Sequence, residues 1–355
     1  MFFAGGIYGR QGGIASNSTN SGNITIKENT AVNSSLYIGG ISAYGTGEMS
    51  GCENSGTLTI EKKTTTASSI FVGGITSQNA CTLANCSNSG SITLEEEIQC
   101  GKYLMVSGVT GWMLNAVTNV ENSGAITCKD ITVANNTYTS GCIAYSELTT
   151  ENIVLSKLTN RGNISFKGSV GGAKFYTAGC LGNWNKNYTG QVLRGADNYG
   201  SINVEASASG DEAIVGGVVG YMYGKGSRGL HNHKTGTITV DIEQTGGKIA
   251  VGGMAYGLRH TLRASAEDES ANGNDADIFV TGSTKTTLDV AGIITTPNNY
   301  NRNYATNNGN ITITGAIVGT DLNVGGFGYG IHYGKNVKGV VNNGDITIDA
   351  TTKVQ

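Results

Sequence analysis

Four sets of residues in this chain could do chemistry: a histidine pair, seven cysteines, two carboxylate runs and a recurring aromatic. His231-Asn232-His233 offers two imidazoles from one turn, the beginning of a metal site. No cysteine or carboxylate accompanies them at ligand spacing. The pair therefore reads as a degenerate repeat corner facing solvent, and no metal is expected. His260 and His332 stand alone, without the Ser or Cys context of a catalytic triad.

Among the cysteines, Cys52 and Cys86 share one repeat position, Cys142 and Cys180 share another, and Cys128 stands where an inward Ile is expected. Most then behave as small buried hydrophobes. Cys81 and Cys86, five apart in "CTLANC", are the best candidates for a disulfide. The odd total and the lack of a CxxC pair argue against zinc. The run "LEEEIQ" from Leu94 to Gln99 continues the outward face of a strand. "AEDESANGNDAD" from Ala266 to Asp277 lies in the longest repeat interval, and its "GND" matches part of a calcium-binding nonapeptide. Calcium sites of that kind need tandem copies, and only one is present, so a solvated acidic loop is the simpler reading.

Two or three residues after a recurring Gly-Gly-hydrophobic phrase comes an aromatic: Tyr44, Trp112, Tyr145, Trp184, Tyr221, Tyr256 and Tyr329. Such a row along one edge suits stacking on sugar rings or docking to a protein. The competing reading is loop packing, with each ring buried and each polar tip meeting water. No residue combination in the chain reads as catalytic.

The elements that position these residues follow from an internal repeat. Asn-x-Gly-x-Ile-Thr-Ile recurs with its glycine at Gly22, Gly56, Gly90, Gly124, Gly162, Gly200 and Gly236, at Ala276 as a degenerate copy, then at Gly309 and Gly344. Val-Gly-Gly-Ile alternates with it, its first glycine position falling at Gly5, Gly39, Gly73, Ser107, Gly141, Gly179, Gly216, Gly252, Ala291 and Gly325. Helical repeats of similar length need apolar residues every 3.6 positions, whereas here the period is two. Ile24 and Ile26 share a face and Thr25 takes the other, as do their counterparts in every copy. Equivalent strands one repeat apart run in the same direction and need a crossover. The expected fold is thus all-β: a parallel β-helix of about ten coils of 33–40 residues, right-handed by the chirality of such connections. The repeat makes residues 1–355 a single domain. Both ends interrupt a coil, so a piece of a longer array is expected, with further coils or flanking domains as its neighbours.

The recurring glycine sits where a turn enters the strand, a natural place for positive φ. The Asn two residues before it recurs in nine of the ten copies, with Lys234 as the exception. Stacked at about 4.8 Å, such amides can hydrogen-bond along their column.

The letters "VGGI" at Val72–Ile75 followed by "NCSNSGSIT" at Asn85–Thr93, and "IGGIS" at Ile38–Ser42 followed by "GCENSGTLT" at Gly51–Thr59, resemble GLUG-type repeats. Similar repeats occur in large secreted or surface-attached bacterial proteins, including adhesin-like proteins of gut Bacteroidales. The resemblance covers nearly the whole chain and brings no catalytic residues. Several copies depart from it by lacking the Cys. It implies an extracellular or cell-surface location and a glycan or a host or matrix protein as partner.

Composition agrees and excludes other classes. Fifty-five glycines with a single proline and no Gly-X-Y period rule out collagen and favour short strands with tight turns. A net charge of −3 leaves no basic excess for a nucleic acid. No apolar run is long enough for a membrane helix, and "MFFAGGIYGR" lacks the regions of a signal peptide. A Thr column on a flat face raises ice binding, but a charged row beside it, from Lys27 to Asp241, would hydrate that face. The sequence thus predicts a non-enzymatic rigid stalk or adhesin-like surface without a cofactor. The alternative is a polysaccharide lyase or glycoside hydrolase, which would show as carboxylates and basic groups gathered in a cleft on one face.

Overall fold

The computed structural model describes residues 1–355 except 149–150, 186–190, 224–225, 259–260, 263–271, 298–301, 329–336 and 353–355. Among the described residues there is no helix, and every strand pairing between coils is parallel. The chain is a β-solenoid whose strands stack into four sheets.

One coil shows the path. Leu36–Gly39 belongs to sheet I and Ser42–Gly45 to sheet II. Met49–Ser50 and Glu53–Asn54 form sheet III, and Leu58–Ile60 and Thr65–Thr66 form sheet IV. The next coil re-enters sheet I at Ile70–Gly73, directly beside Leu36–Gly39. Sheet I carries ten strands, which corresponds to nine full turns.

The inward columns of sheet IV lie where period-two alternation puts them. Ile92, Ile126, Ile202, Ile278 and Ile311 are buried in one column, and Leu94, Cys128, Phe166, Val204 and Ile313 in the next. They meet the inward residues of sheet I, such as Leu36, Ile38, Ile70 and Val72, in one apolar core. Sheets II and III enclose a second core around Met49, Leu83, Met113, Leu155, Leu193 and Met222. Each buried aliphatic side chain contributes about 1.5 to 3 kcal/mol, and neighbouring coils supply the other half of every contact.

Asn and Gly form the waist between the two cores. Asn20, Asn54, Asn88, Asn122, Asn160, Asn198, Asn232, Asn274, Asn307 and Asn342 form one unbroken amide ladder, each Nδ2 donating to the next Oδ1 at 2.8–2.9 Å. Most of these Nδ2 groups also donate to the carbonyl two residues on, as Asn54 does to Gly56. The sequence pattern predicts a break in this column near Lys234 and Ala276, and the structure overturns it: the ladder runs through both copies. At the seventh coil Asn232 holds the column, because the turn to Gly236 is two residues longer there.

The glycines serve close approach. A Cβ on Gly40 would lie 2.1 Å from the Gly74 carbonyl oxygen and 2.4 Å from Asn54 Cγ, so Gly40 lets the other wall of the waist press on the ladder. Gly56 and its counterparts lack the positive φ expected of them. A Cβ on Gly56 would fall 2.1 Å from the Gly22 carbonyl oxygen, so crowding between coils selects the residue. Positive φ occurs instead three residues before the ladder, at Asn17, Gly51, Asn85, Asn119, Lys157, Gly195 and Gly229, where sheet III bends in each coil. The first position of the Gly-Gly phrase also needs correction. Pairing puts Ser140 and Ala178, rather than Gly141 and Gly179, beside Ser107 and Gly216.

Candidate functional site

Sheets I and II meet at the sharp Gly-Gly bend, and their outward faces turn toward each other across it. The angle holds a third apolar cluster, separate from both cores. Its inner column is Phe3, Tyr37, Phe71, Met105, Tyr138 and Tyr176, each paired in register with the next on sheet I. Sequence reasoning missed this column, although an aromatic two residues before the first glycine position was visible in several copies. Phe3, Tyr37 and Phe71 stack with ring centroids 5.0 and 4.8 Å apart.

The outer column, on sheet II, is the expected aromatic row in part. Tyr44, Trp112, Tyr145 and Tyr221 stand in register, half-buried, with Gln78 and Asn183 between them. They lean on the inner column: Tyr44 lies 6.1 Å from Tyr37, Trp112 5.9 Å from Phe71, and Tyr145 5.0 Å from Tyr138. Each of the four packs on the cluster and stays partly exposed.

Two members of the expected row leave it. Trp184 is fully buried in the second core, 3.3 Å from Gln191 through its indole N–H, because pairing places Asn183 in the aromatic register. Tyr256 is buried one position out of register, since Gly257 pairs with Tyr221. Tyr329 lies outside the described residues. Burial raises the pKa of the packed phenols: Tyr145 is pushed up to about 12, and Tyr138 and Tyr176 go up as well, Tyr176 with added repulsion from Glu212.

The outward face of sheet IV carries the charged column. Lys27 pairs with Glu61 at 3.1 Å, Lys129 with Glu95 at 3.0 Å and Lys167 with Glu205 at 2.5 Å, each across one coil. Around the last pair, Asp130, Asp241 and Glu243 join Lys167 and Glu205 in an open depression of about 350 Å³. Lys167 and Glu205 are both exposed and committed to each other.

The histidine pair is not alone. His231 and His233 point to the same side of sheet III, their rings 4.2 Å apart and 6° from parallel. Strand pairing sets Asn274 beside Asn232, which places Asp275 of the next coil 2.8 Å from His231 Nε2. From the preceding coil, Asp197 lies 2.9 Å from His233 Nε2. The sequence expectation that no carboxylate accompanies these histidines is therefore overturned. The partners are 36 and 44 residues away and meet only through the coil register. Tyr199 stacks on His233 at 3.9 Å, Arg161 covers Tyr199, and Asn308 donates to Asp275 Oδ1 at 2.7 Å. Partial burial pushes the Asp275 carboxyl up, but hydrogen bonds from Asn308 and His231 and the nearby imidazoles outweigh it and leave its pKa below the ordinary value.

The seven cysteines are unpaired, and all but Cys81 are buried. The proposed Cys81–Cys86 disulfide is absent: Cys86 faces the second core beside Cys52, while the Cys81 thiol donates to the Thr46 carbonyl. Burial pushes Cys100 up to about 11 and Cys128 up to about 12. His260, His332 and the Ala266–Ala271 part of the acidic run lie outside the described residues.

No protein-family model, curated protein or solved structure matches the chain.

Proposed function

We propose that this chain is a non-enzymatic, rigid segment of a secreted or cell-surface bacterial protein, a spacer with an adhesin-like edge that binds a glycan or a host or matrix protein. The observation that carries this reading is the amide ladder through ten successive coils, which ties the waist of the solenoid into one stiff column. The ladder repeats with little change along the molecule, as a spacer requires. The half-exposed row of Tyr44, Trp112, Tyr145 and Tyr221 supplies the recognition edge, since each side chain stays partly exposed over a packed base. The resemblance to GLUG-type repeats supports the surface location.

The test is a glycan and matrix-protein array probed with the chain and with a Tyr44→Ala/Tyr145→Ala/Tyr221→Ala variant. A specific signal lost in a variant that still melts cooperatively supports the reading, and equal binding by both proteins removes the aromatic edge from it. The depression around Lys167 and Glu205 favours the second reading, a β-helix polysaccharide lyase or glycoside hydrolase. Release of reducing or unsaturated sugar ends, abolished by Lys167→Met and Glu205→Gln, would establish that reading in place of the first.

A further inference from the structure

We infer that His231, His233 and Asp275 form a binding site for a borderline divalent transition-metal cation such as Zn²⁺, with Asp197 as an available fourth ligand. One donor atom from each of the first three residues lies within 4.8 Å of the others. A tetrahedral zinc with Zn–N and Zn–O bonds of about 2.0–2.1 Å needs ligand atoms about 3.3 Å apart. To close that gap the two rings would splay from parallel and the carboxylates would swing from hydrogen bonding a ring nitrogen to sharing a cation.

The donor set selects the ion. Two imidazoles and one or two carboxylates suit zinc, copper or nickel, whereas calcium and magnesium prefer oxygen alone. The surroundings resemble those of a ligand set held in place. Asn308 fixes the second oxygen of Asp275, and the Tyr199 ring supports His233 from below. The three required residues are each about three-quarters buried, and the fourth, Asp197, is more exposed.

Asp197, the histidines and Asp275 belong to three successive coils, so the cation would clamp them together beside the lengthened turn at Lys234. Binding displaces protons from imidazole, so affinity falls as the solution is acidified. Metal bound only to the folded state raises the melting temperature, and the rise grows with the logarithm of ligand excess.

The experiment titrates the whole 355-residue chain with Zn²⁺ by calorimetry and by thermal melting, beside Asp275→Asn and a His231→Asn/His233→Asn variant. One Zn²⁺ per chain with a raised melting temperature is expected, with at least tenfold weaker binding for either variant and no comparable response to Ca²⁺ or Mg²⁺. Because the cysteines and the other histidines offer sulfur and nitrogen elsewhere, Cu²⁺ loaded at one equivalent on the unmodified chain is read by pulsed electron paramagnetic resonance. Coupling to two imidazoles is the expected result and does not depend on any variant folding. Unchanged Zn²⁺ affinity in the histidine variant, absence of stoichiometric binding, or a copper spectrum with thiolate character would each overturn the inference.

Discussion

Asn198 and Asn232, 34 residues apart, are joined by a 2.9 Å hydrogen bond from Nδ2 to Oδ1, and Asn232 passes the pattern on to Asn274 at 2.8 Å. The coil containing Asn232 has a longer turn and no asparagine at the expected offset from its glycine, yet the ladder is kept. A buried amide has four hydrogen-bonding positions to fill, and leaving one vacant costs more than remodelling a surface turn.

Replacement of a central rung is therefore expensive. Asn122→Ala leaves the Asn160 Oδ1 acceptor and the Gly124 carbonyl without the donor they share. The expected loss is about 1 to 3 kcal/mol for each orphaned group. Denaturant unfolding measures it, and a change below about 0.5 kcal/mol, the usual range for surface substitutions, would show that the ladder contributes little.

Gly74 makes the complementary case from the other wall of the waist. A Cβ there would sit 2.0 Å from the Gly108 carbonyl oxygen and 2.4 Å from Asn88 Cγ, with backbone on one side and a committed amide on the other. Gly74→Ala should lower stability by about 1 to 3 kcal/mol, the usual cost of overpacking. Gly13, which has nothing near its would-be Cβ, is the control and should tolerate alanine.

The two tryptophans, assigned to one row by sequence, should separate by their effects. Trp184→Ala empties part of the second core and should cost about 3 to 5 kcal/mol. Trp112→Ala removes a half-buried ring and should cost distinctly less, judged by melting temperature. Equal losses would mean that Trp112 also serves as core.

What the sequence made legible and what it hid have the same physical origin. Columns such as Ile164 and Ile202 follow from alternation within one strand, and in-register stacking repeats any local regularity. Offsets counted from a glycine fail wherever a turn changes length, as at Asn232 against Lys234, or where the phrase slips by one, as at Asn183 against Trp184. A one-residue slip in a strand sends a side chain to the opposite face. The His231–Asp275 pair was hidden for a stronger reason. Each residue drew attention by itself, but no sequence spacing joins them, and only the pairing of Asn232 with Asn274 brings them together.

Alkaline pH should destabilise the molecule through the aromatic groove. Burial holds the folded-state pKa of Tyr145 at about 12, above the ordinary phenol value of 10.0, and raises Tyr138 and Tyr176 also. Between those values the unfolded chain has lost phenolic protons that the folded chain keeps, so stability falls as pH rises. It is fully present below pH 10.0 and is lost as pH climbs toward about 12. Melting temperature against pH, with tyrosinate absorbance recorded in parallel, checks the sign. Tyrosinate appearing near pH 10 for every tyrosine while the fold persists would contradict this burial.

The last prediction concerns the apolar rows at the final coil. Ile311 and Ile313 are fully buried, whereas Ile346 and Ile348, their partners in register on the last strand of sheet IV, are 41% and 49% exposed. Among the described residues that strand lies at the edge of sheet IV, and an edge strand presents backbone groups that can template another strand. The 355-residue chain should then respond to concentration by stacking end to end, or show hydrogen exchange that is fast in the last coil and slow near Ile202. Ile348→Lys places a charge on the exposed edge and should suppress stacking while leaving central protection unchanged. Sedimentation velocity over a hundredfold concentration range, combined with exchange mass spectrometry, decides the matter. A strictly monomeric chain whose last coil exchanges as slowly as its centre would mean that apolar exposure at Ile346 and Ile348 has no energetic consequence.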